Sequence, residues 1–384
     1  MSSLKNLFLI LVICFVVSGC SGSTSSNKGE NEFCKYNIIQ NELPVDREIT
    51  ICFAHSRNYY DIKALSITKE GVKVSDEKYS FTMYHNFPIS FTDQIMEYYS
   101  INDLSDELGE TIIYGENGSM TAMLFDSYTT QRMYSLILRN NGVFSRADFD
   151  LKTFPFSMQM DNDYIYVFAK EKSSKSNKAL VVTQISVGDG SVEQFTVPLS
   201  AFGLDTIDGS IHYDDIFIID NVLYFSFYRF GEKASIAVCD LNTNKGTNLT
   251  INDIYSDGRL FVHEGKIGLM LMEKDKSATI SWYNFDRNEM LITHEKSIPV
   301  QLPETNEKNY EMYLFGQNFY FIKDNLCGFL FAEEDLTCSM AYVEINAQTG
   351  DIVTFIELET KDDDYASWNY LIRDDGQGYQ RFSK

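Results

Sequence analysis

The 384-residue chain carries 55 acidic against 32 basic side chains, a formal charge of −23. A surface this acidic repels nucleic acid and anionic lipid headgroups, which sets nucleic acid aside as a partner and leaves basic proteins, divalent cations or neutral ligands. The length suffices for a large core in one or two domains, and 28 Phe and 24 Tyr against only 6 Pro favour half-buried pleated surfaces, that is, β structure.

The first charged residue, Lys5, precedes an unbroken apolar run from Leu7 to Val17. Eleven helical residues rise about 16 Å, well short of a roughly 30 Å hydrocarbon core. A basic start, a short apolar stretch and then small residues describe an export signal rather than a membrane-spanning helix. The small residues, Val17-Ser18-Gly19-Cys20, resemble a bacterial lipobox, with Val where Leu is usual at the first position. That resemblance implies cleavage before Cys20, loss of residues 1–19 as a lipoprotein signal peptide, and a diacylated Cys20. The mature chain is then expected to be exported and held on the cell membrane or outer membrane by that lipid. Residues 20–33 are rich in Ser and Gly and read as a flexible tether, leaving 34–384 as the folded body. No later stretch reaches eighteen uncharged apolar residues, so the body is expected to be soluble.

From about Ile49 onward, short aromatic or β-branched runs alternate with turn signals, and long amphipathic helical patterns are absent. YYDIKALSITKEGVKVSDEKYSF gives a strand, the turn Lys69-Glu70-Gly71, and a second strand. Residues 93–108 (DQIMEYYSINDLSDEL) fit a short helix or an irregular insert. Six segments then repeat one plan of apolar strand, tight polar turn and apolar strand: IIYGENGSMTAMLF, MQMDNDYIYVFA, IFIIDNVLYFSFY, LFVHEGKIGLMLM, YLFGQNFYFI and YLIRDDGQGYQRF. Their turns fall near residues 117, 162, 220, 265, 317 and 375, at spacings of about 45–58. Three units continue with a strand, a polar turn opened by Asp or Asn, and an outer strand; the turns are DLNTNKG, NFDRN and EINAQTG. Periods near fifty residues, each opened by a hairpin, resemble the blades of a β-propeller.

The fold expected is therefore all-β, a six-bladed propeller closed by N-terminal strands pairing with the C-terminal hairpin, which leaves no open sheet edge. A seventh blade follows if the stretch from Phe87 to Leu108 hides a degenerate hairpin. A β-sandwich pair is the alternative, but its strand spacing carries no fifty-residue repeat.

Motifs for chemistry are sparse: there is no G-x-S-x-G, H-E-x-x-H, paired C-x-x-C or Walker loop. His212 and His263 fall on or near innermost strands and are candidates for a channel metal site or an acid–base pair. Asp161, Asp163, Asp214 and Asp215, with Asp362-Asp363-Asp364, offer oxygen ligands suited to calcium, though none fits a spaced calcium loop. The competing reading of these residues is turns, solvated loops and satisfied structural histidines. Beyond Cys20, five cysteines remain, an odd number; Cys327 and Cys338 flank an apolar segment and are the candidate disulfide across a hairpin, while Cys239 reads as a buried strand residue. Trp282, Trp368 and Tyr370 are candidates for stacking on sugar rings. The reading that results is a lipid-anchored envelope protein acting as a non-enzymatic binding or scaffolding propeller, with a protein partner or a glycan as ligand. The alternative is a carbohydrate-active or other hydrolase or lyase with its site in the channel.

Overall fold

Most middle segments of the repeated units are apolar at every position rather than at alternate ones, which suits strands covered on both faces. The computed structural model describes residues 27–45, 47–55, 58–81, 86–117, 120–126, 133–151, 155–172, 177–202, 215–227, 235–251, 259–272, 278–303, 310–311, 319–322, 324–332, 335–361, 365–373 and 382–383. Its strands form six small sheets, antiparallel but for one added strand, arranged as a six-bladed β-propeller. Blade I comprises Thr111–Asn117, Met120–Asp126, Met133–Asn140 and Val143–Asp150, in order from the channel outward. Blade II follows with Pro155–Met160, Tyr164–Lys172, Asn177–Ser186 and Val192–Pro198. Blade III holds Ile216–Ile219, Val222–Phe227, Ser235–Asp240 and Lys245–Thr250. Blade IV holds Arg259–His263, Lys266–Met272, Ala278–Asp286 and Leu291–Val300. Blade V holds Phe319–Ile322, Asn325–Ala332, Asp335–Asn346 and Ile352–Thr360. Its first hairpin brings Ile322 opposite Asn325, later than the turn expected near 317, because FYFI is the first strand rather than the second.

Burial follows position in the blade. Ser235–Asp240 is buried throughout, whereas the outermost strand beside it, Lys245–Thr250, has no buried residue. Between successive blades lie six apolar clusters, one per seam. Ile113, Leu124 and Leu136 of blade I meet Met160, Ile165 and Val167 of blade II, and Phe168 and Val182 meet Ile218 and Phe225 at the next seam. The remaining seams join III to IV, IV to V, V to VI and VI to I. A seam between the last blade and the first means that the ring is closed.

Closure uses both ends of the chain. Blade VI takes its innermost strand, Tyr365–Arg373, from the C-terminal region and its other three, Glu48–His55, Asn58–Thr68 and Gly71–Val74, from the N-terminal region. Tyr370 lies opposite Ile51 and Ile372 opposite Ile49. Only the first arm of the expected C-terminal hairpin belongs to this blade; residues 374–381 lie outside the described residues, and Phe382–Ser383 pairs elsewhere. The N-terminal chain also widens blade V, where Cys34–Asn41 pairs with Ile352–Thr360 and Asn27–Glu30 lies outside it. The first described strand, Asn27–Glu30, thus lies inside the stretch read as tether. Gly29 makes this strand workable: it faces Tyr36 across the pair, and a Cβ there would lie 2.4 Å from the tyrosine ring.

The insert between blades VI and I is a two-stranded hairpin, Tyr79–Phe81 with Asn86–Pro88, followed by a helix, Ile89–Tyr99. No seventh blade forms there. Phe91 and Ile95, one turn apart, are the helix's buried residues, and the Phe91 ring meets Tyr114 of blade I edge-on at 5.8 Å. Ser100 ends the helix in the left-handed conformation, and Asp103 caps the short turn Leu104–Glu107 by accepting from Ser105 N at 2.9 Å.

In blades III, IV and V the polar turns between third and fourth strands share one mechanism. Asp240 Oδ1 accepts from Asn242 N (2.8 Å) and Thr243 N (3.2 Å). Asp286 Oδ1 does the same for Asn288 and Glu289, and Asn346 Oδ1 for Gln348 and Thr349. Four residues beyond each, the chain turns left-handed, at Asn244, Met290 and Gly350. A side-chain acceptor that closes the turn and a left-handed residue that exits it together let the outer strand fold back.

Candidate functional site

The innermost strands are where a propeller can build a central site, and among the described residues several polar side chains on or beside them join blades. Gln159, buried in blade II, donates Nε2 to Ile218 O at 2.7 Å and accepts from Ile218 N at 2.6 Å. Asn117 Nδ2 donates to Met160 O at 3.3 Å, joining blade I to blade II. Asp215 continues the series. Its Oδ2 accepts from Leu260 N of blade IV at 2.9 Å and from Ser226 Oγ at 3.3 Å, and it faces Arg259 Nη1 at 4.0 Å, with both charged side chains buried. A carboxylate held by a backbone amide, a hydroxyl and a guanidinium clamps blade III to blade IV.

His263, at the other end of the same innermost strand, is 4% exposed. Its Nε2 lies 3.4 Å from Asp324 Oδ1 in the first turn of blade V, and its ring centroid is 6.2 Å from that of Trp282. Three residues of strand separate His263 from Leu260, where Asp215 binds, a distance of about 10 Å. Asp215 and His263 therefore belong to two separate contacts. His212, Asp214, His85 and Asp362-Asp363-Asp364 lie outside the described residues, as do the side chains of Cys338, Trp368 and Tyr370.

The other candidates resolve locally. Asp161 Oδ1 accepts from Asp163 N (2.9 Å) and Tyr164 N (2.7 Å), closing the first hairpin of blade II, while Asp163 is exposed on that turn. Among the described residues, no three His, Cys, Asp or Glu side chains converge as a metal site. Cys327 is a free, buried thiol opposite Glu344. Cys338 lies six residues along that partner strand, about 20 Å away, so the disulfide expected between them does not form. Cys239 is buried, and burial pushes its thiol up to about 11. Trp282 is fully buried rather than presented to a sugar: Nε1 donates to Ala347 O at 3.1 Å, and the ring meets Phe261 edge-on at 5.3 Å. Tyr283, on the opposite face of that strand, packs into the seam with blade III, so both faces are core.

A second buried ionic group sits at the closure. Arg47, on the link that carries the chain from blade V to blade VI, places Nη1 2.7 Å from Glu344 Oε1, with the two side chains 3% and 1% exposed. Tyr342 Oη donates to the same oxygen at 2.6 Å, and Cys327 adjoins this group, where burial and then the nearby carboxylate raise its thiol well above the usual range. Nothing local in the sequence marks Arg47 or Arg259, since each finds its partner on another blade.

One innermost strand differs in what lies beside it. On the channel-side edge of Arg259–His263 sits a fifth strand, Phe382–Ser383, running parallel, with Val262 opposite Phe382 and His263 opposite Ser383. It also touches the innermost strand of blade V, Phe319–Ile322. This edge is the place in the described channel where backbone accepts an added strand. Among the described residues no helix is long and apolar enough to cross a membrane.

No protein-family model matches the chain, and no curated protein sequence matches it. Among solved structures, it is similar to a Synechocystis apocarotenoid oxygenase mutant at 7% identity and a TM-score of 0.44, covering 90% of this chain and 97% of that one. A hypothetical selenium-binding protein from Sulfolobus tokodaii is 11% identical with a TM-score of 0.41, over 81% and 74% of the two chains. An uncharacterized protein from Listeria monocytogenes EGD-e is 10% identical with a TM-score of 0.35, over 71% and 95%.

Proposed function

We propose that this chain is a lipid-anchored binding or scaffolding propeller of a bacterial envelope, tethered through Cys20. The observation that carries the reading is where the first described strand lies. Asn27–Glu30 is the outermost strand at the rim of blade V. Six residues, 21–26, separate it from Cys20, so the two Cα atoms lie at most about 25 Å apart. A tether that short, leaving from the rim, holds the disc close to the membrane while leaving its two loop faces open to a partner. The polar residues of the described inner strands support binding over catalysis as the first reading, because Gln159, Asn117 and Asp215 are committed to blade seams.

The test is a pull-down from native envelope with the C-terminally tagged full chain beside a Cys20→Ala control. A stoichiometric protein partner that is lost in the control is the expected result. A clean preparation without a partner overturns the scaffold reading and turns attention to a small ligand or glycan in the channel, with His212 the residue to change next.

A further inference from the structure

We propose that Met120, Met158 and Met160 form a three-thioether site for a soft monovalent metal ion, Cu(I), in the seam between blades I and II. The site goes beyond the binding-module reading and does not depend on it. Met158 and Met160 lie two residues apart on the innermost strand of blade II, so both side chains leave the same face of that sheet. That face meets blade I. Within blade I, Asn117 lies opposite Met120 and Gly115 opposite Ala122, which places these four residues on the face turned toward blade II. Asn117 Nδ2 reaches across to Met160 O at 3.3 Å and ties the two innermost strands together at this level.

Gly115 is what lets the thioethers gather. A Cβ there would lie 3.2 Å from Met160 Sδ and 3.2 Å from Met158 Cε, so the ends of both side chains converge over the bare backbone of one residue. Methionine is unbranched with three rotatable bonds, and small torsional changes turn its sulfur toward a common point. Methionine also fills gaps in apolar cores, and its distribution separates the two roles. Among the described residues, the I–II seam gathers three methionines, the II–III and III–IV seams none, IV–V only Met270, V–VI only Met340, and VI–I Met96 and Met123. The three also sit where their strands end at the first hairpins of blades I and II, not midway along the seam. Met120 and Met160 are buried and Met158 half-buried, which leaves an approach for an ion from that loop face.

The donor set argues for the class of metal. Thioether sulfur is a soft, neutral ligand that suits Cu(I), whereas calcium and magnesium take oxygen ligands. Three neutral sulfurs leave the bound ion its single positive charge, and a chain of formal charge −23 favours the approach of cations. Copper enters and stays as Cu(I), so binding oxidises and reduces nothing and releases no proton.

The probe is Cu(I) itself, kept reduced without oxygen and titrated into the mature full chain in competition with the chromophoric chelator bicinchoninate. Met158→Leu and Met160→Leu conserve volume, which cores tolerate, and they keep every cysteine, so binding at thiols is common to all the chains compared. Uptake of one Cu(I) per chain is expected. Each substitution should weaken it at least about tenfold, since even a change outside the ligand set costs about 10–100-fold. Met133→Leu, at an exposed position on the third strand of blade I, should leave it unchanged. A second measurement needs no substitution: in spectra of the chain labelled with 13C at its methionine methyls, Cu(I) should move three signals and leave the others in place. Equal affinity in Met160→Leu and the unsubstituted chain overturns the proposal, as does no uptake by a cooperatively melting chain or methyl signals that Cu(I) leaves unmoved. The envelope pull-down bears on the binding-module reading alone, so either can fail without the other.

Discussion

Replacing Arg47 by Met tests the ionic lock at the ring closure. The guanidinium lies 2.7 Å from Glu344, and both side chains are almost fully buried. Removing one partner leaves a carboxylate in the seam between blades V and VI with the Tyr342 hydroxyl still donating to it. Breaking a buried pair in this way costs about 3–5 kcal/mol, because the remaining charge is uncompensated. Glu344→Leu should cost a similar amount, now stranding the guanidinium. The double variant replaces both charges with apolar side chains of similar volume, and such replacements range from neutral to stabilising. What it leaves is the Tyr342 hydroxyl without its acceptor, about 1–3 kcal/mol, so the double variant should be more stable than either single one. Adding Tyr342→Phe should recover most of the remainder. Urea unfolding of the four variants, compared at constant m, gives each cost. A loss under 1 kcal/mol for Arg47→Met, or a double variant as unstable as the sum of the singles, refutes the reasoning.

Three further outcomes follow from particular contacts. Gly350→Ala should destabilise by roughly 2–4 kcal/mol in chemical denaturation, since φ is +79° and a Cβ would stand 2.5 Å from Pro299 O of blade IV. Asp215→Ala should cost about 3 kcal/mol or more by the same measurement, with Asp215→Asn costing less because it keeps an acceptor oxygen for Leu260 N. Burial pushes the thiols of Cys34 and Cys239 up to about 11 from 9.0. The folded state therefore holds these protons more tightly, and stability is fully present below about pH 9 and lost as pH rises through about 11. Below that window, iodoacetamide should label neither thiol until the chain is unfolded, which peptide mass mapping reads directly.

The repeat was legible because its signals are local. DLNTNKG, NFDRN and EINAQTG announce side-chain-capped turns by residue type, and the capping bonds of Asp240, Asp286 and Asn346 reproduce that reading atom by atom. The six-blade count followed from the same spacing. The pairing of Cys34–Asn41 with blade V was not legible, since its partners lie some 320 residues away and nothing in CKYNIIQN names a sheet. The second arm of the C-terminal hairpin failed for a related reason: YLIRDDGQGYQRF has the local form of a hairpin, yet Phe382–Ser383 is taken by the edge of blade IV. Asp215 was recognised as a carboxylate whose oxygens suit calcium, but whether it faces a ligand or a neighbouring blade depends on Leu260 N, which residue type does not encode. The same limit hid Arg47, Arg259 and Asp324. Among the candidate cysteines, Cys327 misled because flanking positions suggest proximity, while the strand register places Glu344 opposite it.

The measurement that bears most directly on the central claim is detergent-phase partition of the full chain and its Cys20→Ala variant, followed by intact mass of the recovered protein. The account expects the unsubstituted chain in the detergent phase, beginning at Cys20 and carrying a diacylglyceryl group, and the variant in the aqueous phase. An unsubstituted chain that partitions to water, or whose first residue is other than Cys20, contradicts it.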